Sequence, residues 1–172
     1  MSTIIMITGG TRSGKSRFGQ DMALRLSPQP VYLATSRIWD PEHQARICRH
    51  QQDRGAQWIN IEEEKQLSKH DFTHRVVLVD CVTLWLTNYF FDLQADVEKA
   101  LQQAKEEFIR LTAQAATFIF ITNEIGLGGH SANDVQRHFT DLQGWMNQYI
   151  AQQAHEVYWM VSGIDVKIKP KQ

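Results

Sequence analysis

The sequence predicts a three-layer α/β fold built on a mostly parallel β-sheet. Three observations lead there. Short apolar runs recur along the chain, longer polar-amphipathic stretches separate them, and the runs are rich in β-branched and aromatic residues. Runs of that kind read as buried strands, and strands that alternate with helices pair in parallel with helices on both faces.

The first strand is IIMIT (4–8), followed by an amphipathic segment, KSRFGQDMALRL (15–26). VYLAT (31–35) is the second strand. DPEHQARICRHQQDRG (40–55) then reads as a helix, with Asp40 as N-cap, Pro41 at the first helical position and Gly55 closing it. On that helix His43, Ile47, His50 and Arg54 share a face, with Arg46 one turn before His50. VVLVD (76–80) is a further strand. DVEKALQQAKEEFIRLTAQAA (96–116) is the clearest helix, because Val97, Leu101, Ala104, Phe108, Leu111 and Ala115 recur at spacings of four and three and form one apolar stripe. FIFIT (118–122) and VYWMVS (157–162) complete the strands. No internal repeat, low-complexity tract or Pro/Gly/Ser linker interrupts the pattern, so residues 1–172 are expected to form one domain.

Composition narrows the function. Apolar residues make up 42% of the chain, enough for a sizeable core. Lys and Arg number 18 against 19 Asp and Glu, a net charge of −1, which argues against a protein that coats nucleic acid while leaving room for a local basic pocket. The two cysteines, Cys48 and Cys81, have neither CxxC nor zinc spacing and read as reduced core thiols. The amino end lacks a secretory leader pattern, and no apolar run approaches the roughly 20 residues of a membrane helix. The expectation is a cytoplasmic protein without membrane insertion.

Gly9-Gly10-Thr11-Arg12-Ser13-Gly14-Lys15-Ser16 fits G-x-x-x-x-G-K-[ST], and it stands between a strand and an amphipathic segment, as that motif requires. The glycines let backbone N–H groups wrap a phosphate chain, and the helix that starts near Lys15 points its positive end at the anion. Lys15 should neutralise β- and γ-phosphate oxygens, and the Ser16 hydroxyl should ligate Mg2+. Asp80, which ends the VVLVD strand, is the expected carboxylate partner of that ion. The loop turns the α/β expectation into a P-loop NTPase fold of the RecA-like kind. It specifies phosphate binding and leaves the reaction open: a small-molecule kinase and a nucleotide-switch ATPase share it.

The histidine face is what the loop leaves unexplained. Ligands of open parallel sheets collect at the carboxyl ends of the strands, where the start of the 40–55 segment is expected. A neutral His50 imidazole there could attack the α-phosphate of a nucleoside triphosphate, expel pyrophosphate and keep the nucleotidyl group. An ordinary surface histidine fits the same spacing. Zinc binding by His43 and His50 lacks a third ligand.

The segments ITGGTRSGKSRFGQ, VYLATSRIWDPEHQARICRHQQDRGAQW, VVLVDCVTLWLTNYFF, FITNEIGLG and VYWMVSGIDVKIK follow one another in this order. Together they resemble the bifunctional adenosylcobinamide kinase/adenosylcobinamide-phosphate guanylyltransferase family of cobalamin biosynthesis. The combination of ATS, RIxxH, TNE.G.G and the closing VSGIDVKIK carries the resemblance. It implies that ATP or GTP phosphorylates adenosylcobinamide, that GTP then guanylylates a histidine, and that the GMP passes to adenosylcobinamide phosphate to give adenosylcobinamide-GDP. The guanylylated histidine of the RIxxH motif falls on His50. The resemblance further implies nucleotide contacts at residues 9–16, at Ala34, Thr35 and Ser36, at His50 with Gln51, Gln52 and Asp53, at Glu62 and at Asp80. Lys15 as the catalytic lysine and Ser16 and Asp80 as Mg2+ ligands follow from the loop and its carboxylate partner, and the resemblance implies a homotrimer with sites near subunit boundaries. Arg46, Arg49 and Arg54 are candidates to offset phosphate charge, and Asp80 or Glu124 to activate the substrate hydroxyl. Trp39 and Trp85, among five tryptophans, fit either a corrin-facing surface or core packing. The chain departs from the family in one place: GHSAN (129–133) replaces a Val-Pro-Glu-Asn-like turn, with Asn133 kept, and Gly126, Gly128 and Gly129 suggest a flexible loop.

Overall fold

Each apolar run becomes a strand of a single sheet. The structure, a computed structural model, describes residues 1–38 and 55–170. Its strands are β1 (Thr3–Gly9), β2 (Val31–Ala34), β3 (Ile59–Glu62), β4 (Val76–Asp80), β5 (Thr117–Ile121), β6 (Glu156–Val161) and β7 (Ile164–Lys169). Its helices are α1 (Lys15–Leu26), α2 (Val82–Asp92), α3 (Val97–Thr112) and α4 (Asp134–Gln153). The expected 40–55 helix, with His43, Arg46, Cys48, Arg49, His50, Gln51, Gln52, Asp53 and Arg54, lies outside the described residues apart from Gly55, as does Trp39.

The seven strands run in the order β3-β2-β4-β5-β1-β6-β7. Every neighbouring pair is parallel except β6–β7. Strand β5 is wedged between β1 and β4, with Ile7 beside Ile121 and Ile121 beside Asp80. The carboxyl ends of β1 and β4 are therefore two interstrand steps apart, about 10 Å.

Alternate residues of the strands feed two cores. Ile4, Met6, Leu33, Val77, Val79, Phe118 and Phe120 pack with α2, α3 and α4 on one face. Ile5, Ile7, Leu78, Ile119 and Ile121 pack with Met22 and Ala23 of α1 on the other. This is the expected three-layer arrangement.

Four elements differ from what the apolar runs convey. In α2, Val82, Trp85, Leu86, Asn88, Tyr89 and Phe90 are all buried, so the helix is covered on most sides and shows no single stripe. Trp85 is fully buried and donates its indole N–H to the Lys65 carbonyl at 3.1 Å, which makes it a core residue and not a corrin-facing one. Helix α3 buries Ala104, Phe108 and Leu111 as expected but ends at Thr112, so Ala115 falls in the turn beyond it. Its cap is Asp96, whose carboxylate accepts from the Lys99 N–H at 3.0 Å. Strands β3 and β7 are edge strands of mixed polarity, and the apolar-run criterion passes over both.

Candidate nucleotide-binding site

The loop between β1 and α1 is shaped by glycine geometry and close packing. Gly9 sits at φ 155°, and a Cβ there would lie 2.6 Å from the Met160 carbonyl oxygen and 2.8 Å from Ser13 Oγ. Only glycine fits. Gly14 adopts a left-handed conformation at the cap of α1, where no side chain accepts from the helix's first N–H groups. The amides of that first turn are thus left for a ligand, and the helix dipole reinforces them. Gly10, Thr11 and Arg12 are exposed, whereas Ser13 and Lys15 are buried.

The β6–β7 hairpin braces this loop. Ser162 and Gly163 both have positive φ, as a tight two-residue hairpin turn requires. The Gly163 N–H donates to the Ser13 carbonyl at 2.9 Å. A Cβ on Gly14 would meet the Gly163 Cα at 3.3 Å. The VSGI segment therefore has a structural task beside the loop, which sequence reasoning did not assign.

Lys15 donates from Nζ to the Gly10 carbonyl and, at 3.4 Å, to Ser13 Oγ. Burial holds its pKa below the usual lysine value, while the Asp80 carboxylate acts the other way through charge. A phosphate oxygen at the loop would compete for the same donor and supply a counter-charge. Asp80 stands at the end of β4 and accepts from the Tyr32 hydroxyl at 2.6 Å through Oδ2. Ser16, half-buried on the first turn of α1, and Asp80 together offer one hydroxyl and one carboxylate, hard oxygen donors too few for a cage of protein alone. Such a set suits Mg2+, which keeps waters and phosphate oxygens in its shell. Among the described residues no group of three His, Cys, Asp or Glu could hold a metal by itself.

Ala34, Glu62 and Asp80 lie in one register row at the carboxyl edge, with Ala34 between the other two. Glu62 is exposed at the outer strand, four strands from β1, or ~19 Å of sheet width. It can reach only the part of a nucleotide remote from the loop. Thr35 behaves differently from its neighbours. Its hydroxyl donates to the Cys81 carbonyl at 2.7 Å and accepts from the Cys81 N–H at 3.0 Å. Its own N–H donates to the Asp80 carbonyl at 3.2 Å, and its carbonyl accepts from Asn88 Nδ2 at 2.8 Å. Fully buried, Thr35 fastens β2 to the turn after Asp80. Ser36 is half-buried one residue further on. Cys81 is buried, and burial pushes its thiol up to about 12, so it stays protonated and is no nucleophile.

The 129–133 loop is better organised than its glycines suggest. Asn133 caps α4 by accepting from the Gln136 N–H at 3.0 Å. Ser131 accepts from the Asn133 N–H at 3.1 Å and donates to Gln136 Oε1 at 2.8 Å. The retained Asn133 is thus explained by capping.

The structure brings the 9–16 loop, Ala34, Ser36 and Asp80 to one rim and spends Thr35 on holding it. Sequence reasoning missed Tyr32, whose hydroxyl orients Asp80, because that contact joins positions 48 residues apart.

A family model described as cobinamide kinase/cobinamide phosphate guanyltransferase matches residues 5–168. The chain belongs to that family. Within it, the bifunctional adenosylcobalamin biosynthesis protein CobU of Escherichia coli (strain K12) is 39% identical over 181 residues, covering 96% of this chain and 99% of the relative. The corresponding protein CobP of Pseudomonas aeruginosa is 33% identical over 169 residues, covering 95% and 96%. Among solved structures, the flagellar accessory protein FlaH of Methanocaldococcus jannaschii superposes with a TM-score of 0.51 at 14% identity, covering 98% of this chain and 79% of FlaH. A prototypical ATPase from the type III secretion system of pathogenic bacteria gives 0.54 at 10% identity, covering 96% and 56%. At such identities the likeness speaks for the fold alone, and the fold is that of P-loop ATPases.

Proposed function

We propose that the protein phosphorylates the side-chain hydroxyl of adenosylcobinamide with ATP or GTP and then guanylylates the product through His50. In the second reaction an imidazole nitrogen bonds to the α-phosphorus of GTP and pyrophosphate leaves. A phosphate oxygen of adenosylcobinamide phosphate then takes the GMP, which frees His50 and gives adenosylcobinamide-GDP. Family membership over residues 5–168 is the observation that carries this reading. The loop supports it, with Lys15 buried beside exposed Gly10 and an α1 start without side-chain caps. Residues 9–16 would hold the triphosphate, Ala34, Ser36 and Glu62 would face the rest of the nucleotide, and Gln51, Gln52 and Asp53 would follow His50 into the site. Ser16 and Asp80 would hold Mg2+, which neutralises charge on the β- and γ-phosphates. The protein works in the cytoplasm as a homotrimer. Among the described residues no helix is long and apolar enough to cross a membrane.

Incubation with GTP labelled at the α-phosphate tests the reading. Wild-type protein should retain acid-labile, base-stable label after denaturation, and His50→Ala should retain none. Transfer of γ-phosphate to adenosylcobinamide with no α-label on the wild-type protein would leave a small-molecule kinase and remove the transferase. Light scattering at three chain masses is expected; a monomer would refute the trimer.

A further inference from the structure

The two proposed reactions have unequal needs. In guanylyl transfer the attacking groups are a neutral imidazole and a phosphate oxyanion, and neither must lose a proton to attack. In phosphoryl transfer the nucleophile is an alcohol, whose proton must leave as the oxygen bonds to phosphorus. A general base is therefore wanted in one half only.

Two carboxylates are candidates at the rim. Asp80 accepts from the Tyr32 hydroxyl at 2.6 Å and, in the proposed reading, is committed with Ser16 to Mg2+. A carboxylate engaged by a metal ion would not be free to take the hydroxyl proton. Glu124 is placed otherwise. Past the end of β5 the chain stays zipped to β1, with the Thr122 N–H on the Ile7 carbonyl at 3.0 Å and the Glu124 N–H on the Gly9 carbonyl at 3.1 Å. Glu124 therefore stands directly beside the first glycine of the loop. Its Oε1 accepts from the Thr8 hydroxyl at 3.0 Å and from Asn147 Nδ2 at 3.3 Å. Both donors are neutral. Among the described residues no ion pair involves Glu124.

The scaffold behind it is fixed. Asn147 Oδ1 accepts from Thr122 Oγ1 at 2.7 Å and from Gln143 Nε2 at 2.9 Å, and Asn147 Nδ2 also donates to the Asn123 carbonyl at 3.0 Å. Thr8, Thr122, Gln143 and Asn147 are all buried, whereas Glu124 is only half-buried. The network grips the carboxylate from inside by one oxygen and leaves the residue at the rim of the phosphate loop, oriented and, among the described residues, without an ion-pair partner.

We propose that Glu124 is the general base of the phosphoryl-transfer half. The substrate hydroxyl proton moves to the Glu124 carboxylate as the oxygen bonds to the γ-phosphorus. The bond from that phosphorus to the bridging oxygen breaks, and the nucleoside diphosphate leaves with the electron pair. The proton is later released to solvent. This inference rests on the proposed function.

Glu124→Gln tests it, since the amide keeps the shape and an oxygen for Thr8 and Asn147 but has no basicity. Two assays are run, adenosylcobinamide with GTP and presynthesised adenosylcobinamide phosphate with GTP. Phosphoryl-transfer kcat should fall about 100-fold or more with KM for GTP little changed, while guanylyl transfer falls by less than about threefold. Phosphoryl transfer within about tenfold of wild type would overturn the proposal. So would a joint loss of both activities with a raised KM for GTP, which would make Glu124 a support of the loop. Should the glutamine variant not fold, Glu124→Asp keeps the charge but withdraws it by one methylene. The same split, with phosphoryl transfer down about tenfold or more, is then expected, and equal effects on both halves would count against it. The two failures are separable: a wild-type protein without α-label tells against the GMP-histidine reading, and Glu124 is then judged on γ-transfer alone.

Discussion

The Gly9–Ser16 loop and the Thr35–Ser36 turn stand on the same rim of the same sheet and use their polar atoms in opposite ways. The loop exposes Gly10, Thr11 and Arg12 and begins a helix whose first amides have no side-chain acceptor. Thr35 sends its N–H, its carbonyl and its hydroxyl into the protein, to Asp80, Asn88 and Cys81. Position at a binding rim and exposure of polar atoms there are thus separate properties. One region is built to be completed by an anion, the other to hold the distance between β2 and β4 before any ligand arrives.

Substitutions can break this contrast, and the largest effect is expected at Lys15. Lys15→Met should reduce turnover about 100- to 1000-fold, because it removes the charge that meets developing phosphate charge. Its melting temperature should hold or rise, since a desolvated ammonium gives way to an apolar chain of similar length. A loss of folding would show that Lys15 is structural, like Thr35. Next comes Gly9→Ala. Its Cβ meets backbone oxygen, so urea denaturation should show a loss of about 3 kcal/mol. Gly10→Ala, with nothing within 4 Å of the added carbon, should stay within about 0.5 kcal/mol of wild type. Thr35→Val sharpens the comparison most. Stranding the Cys81 N–H and carbonyl should cost about 2 kcal/mol, Thr35→Ser much less. The GTP dissociation constant of Thr35→Val, read by calorimetry, should move less than about threefold; a tenfold rise with stability intact would put Thr35 in contact with the nucleotide.

What the sequence made legible follows the same division. Strands β1, β2, β4 and β5 are visible because each is flanked by parallel neighbours and must be apolar on both faces, whereas β6, with Trp159 and Val161 exposed, is visible by its apolar composition alone. Strand β3 reads INIE and β7 reads IDVKIK; both sit at edges and alternate apolar with polar residues, a pattern that a search for continuous apolar runs does not register. Helix α2 is obscured for the converse reason, being apolar nearly all round. In the site, the phosphate loop is local and its eight residues announce it. The Thr35–Cys81 clasp and the Thr8–Glu124–Asn147 chain join positions 46, 116 and 23 residues apart. No spacing rule spans such separations, since the contacts exist only once the sheet order is set. The resemblance to the family supplied Thr35 as a site residue without indicating that its work is internal.

The wedging of β5 between β1 and β4 has a practical consequence for redesign. The gap from the lysine-bearing turn to the acid on β4 is a dimension of main-chain pairing, so point changes in the neighbouring core will not widen or narrow it. On the proposed metal-binding role of Asp80, tuning metal preference or donor choice should therefore vary how far the group at position 80 extends, aspartate against glutamate, and leave the strands themselves alone.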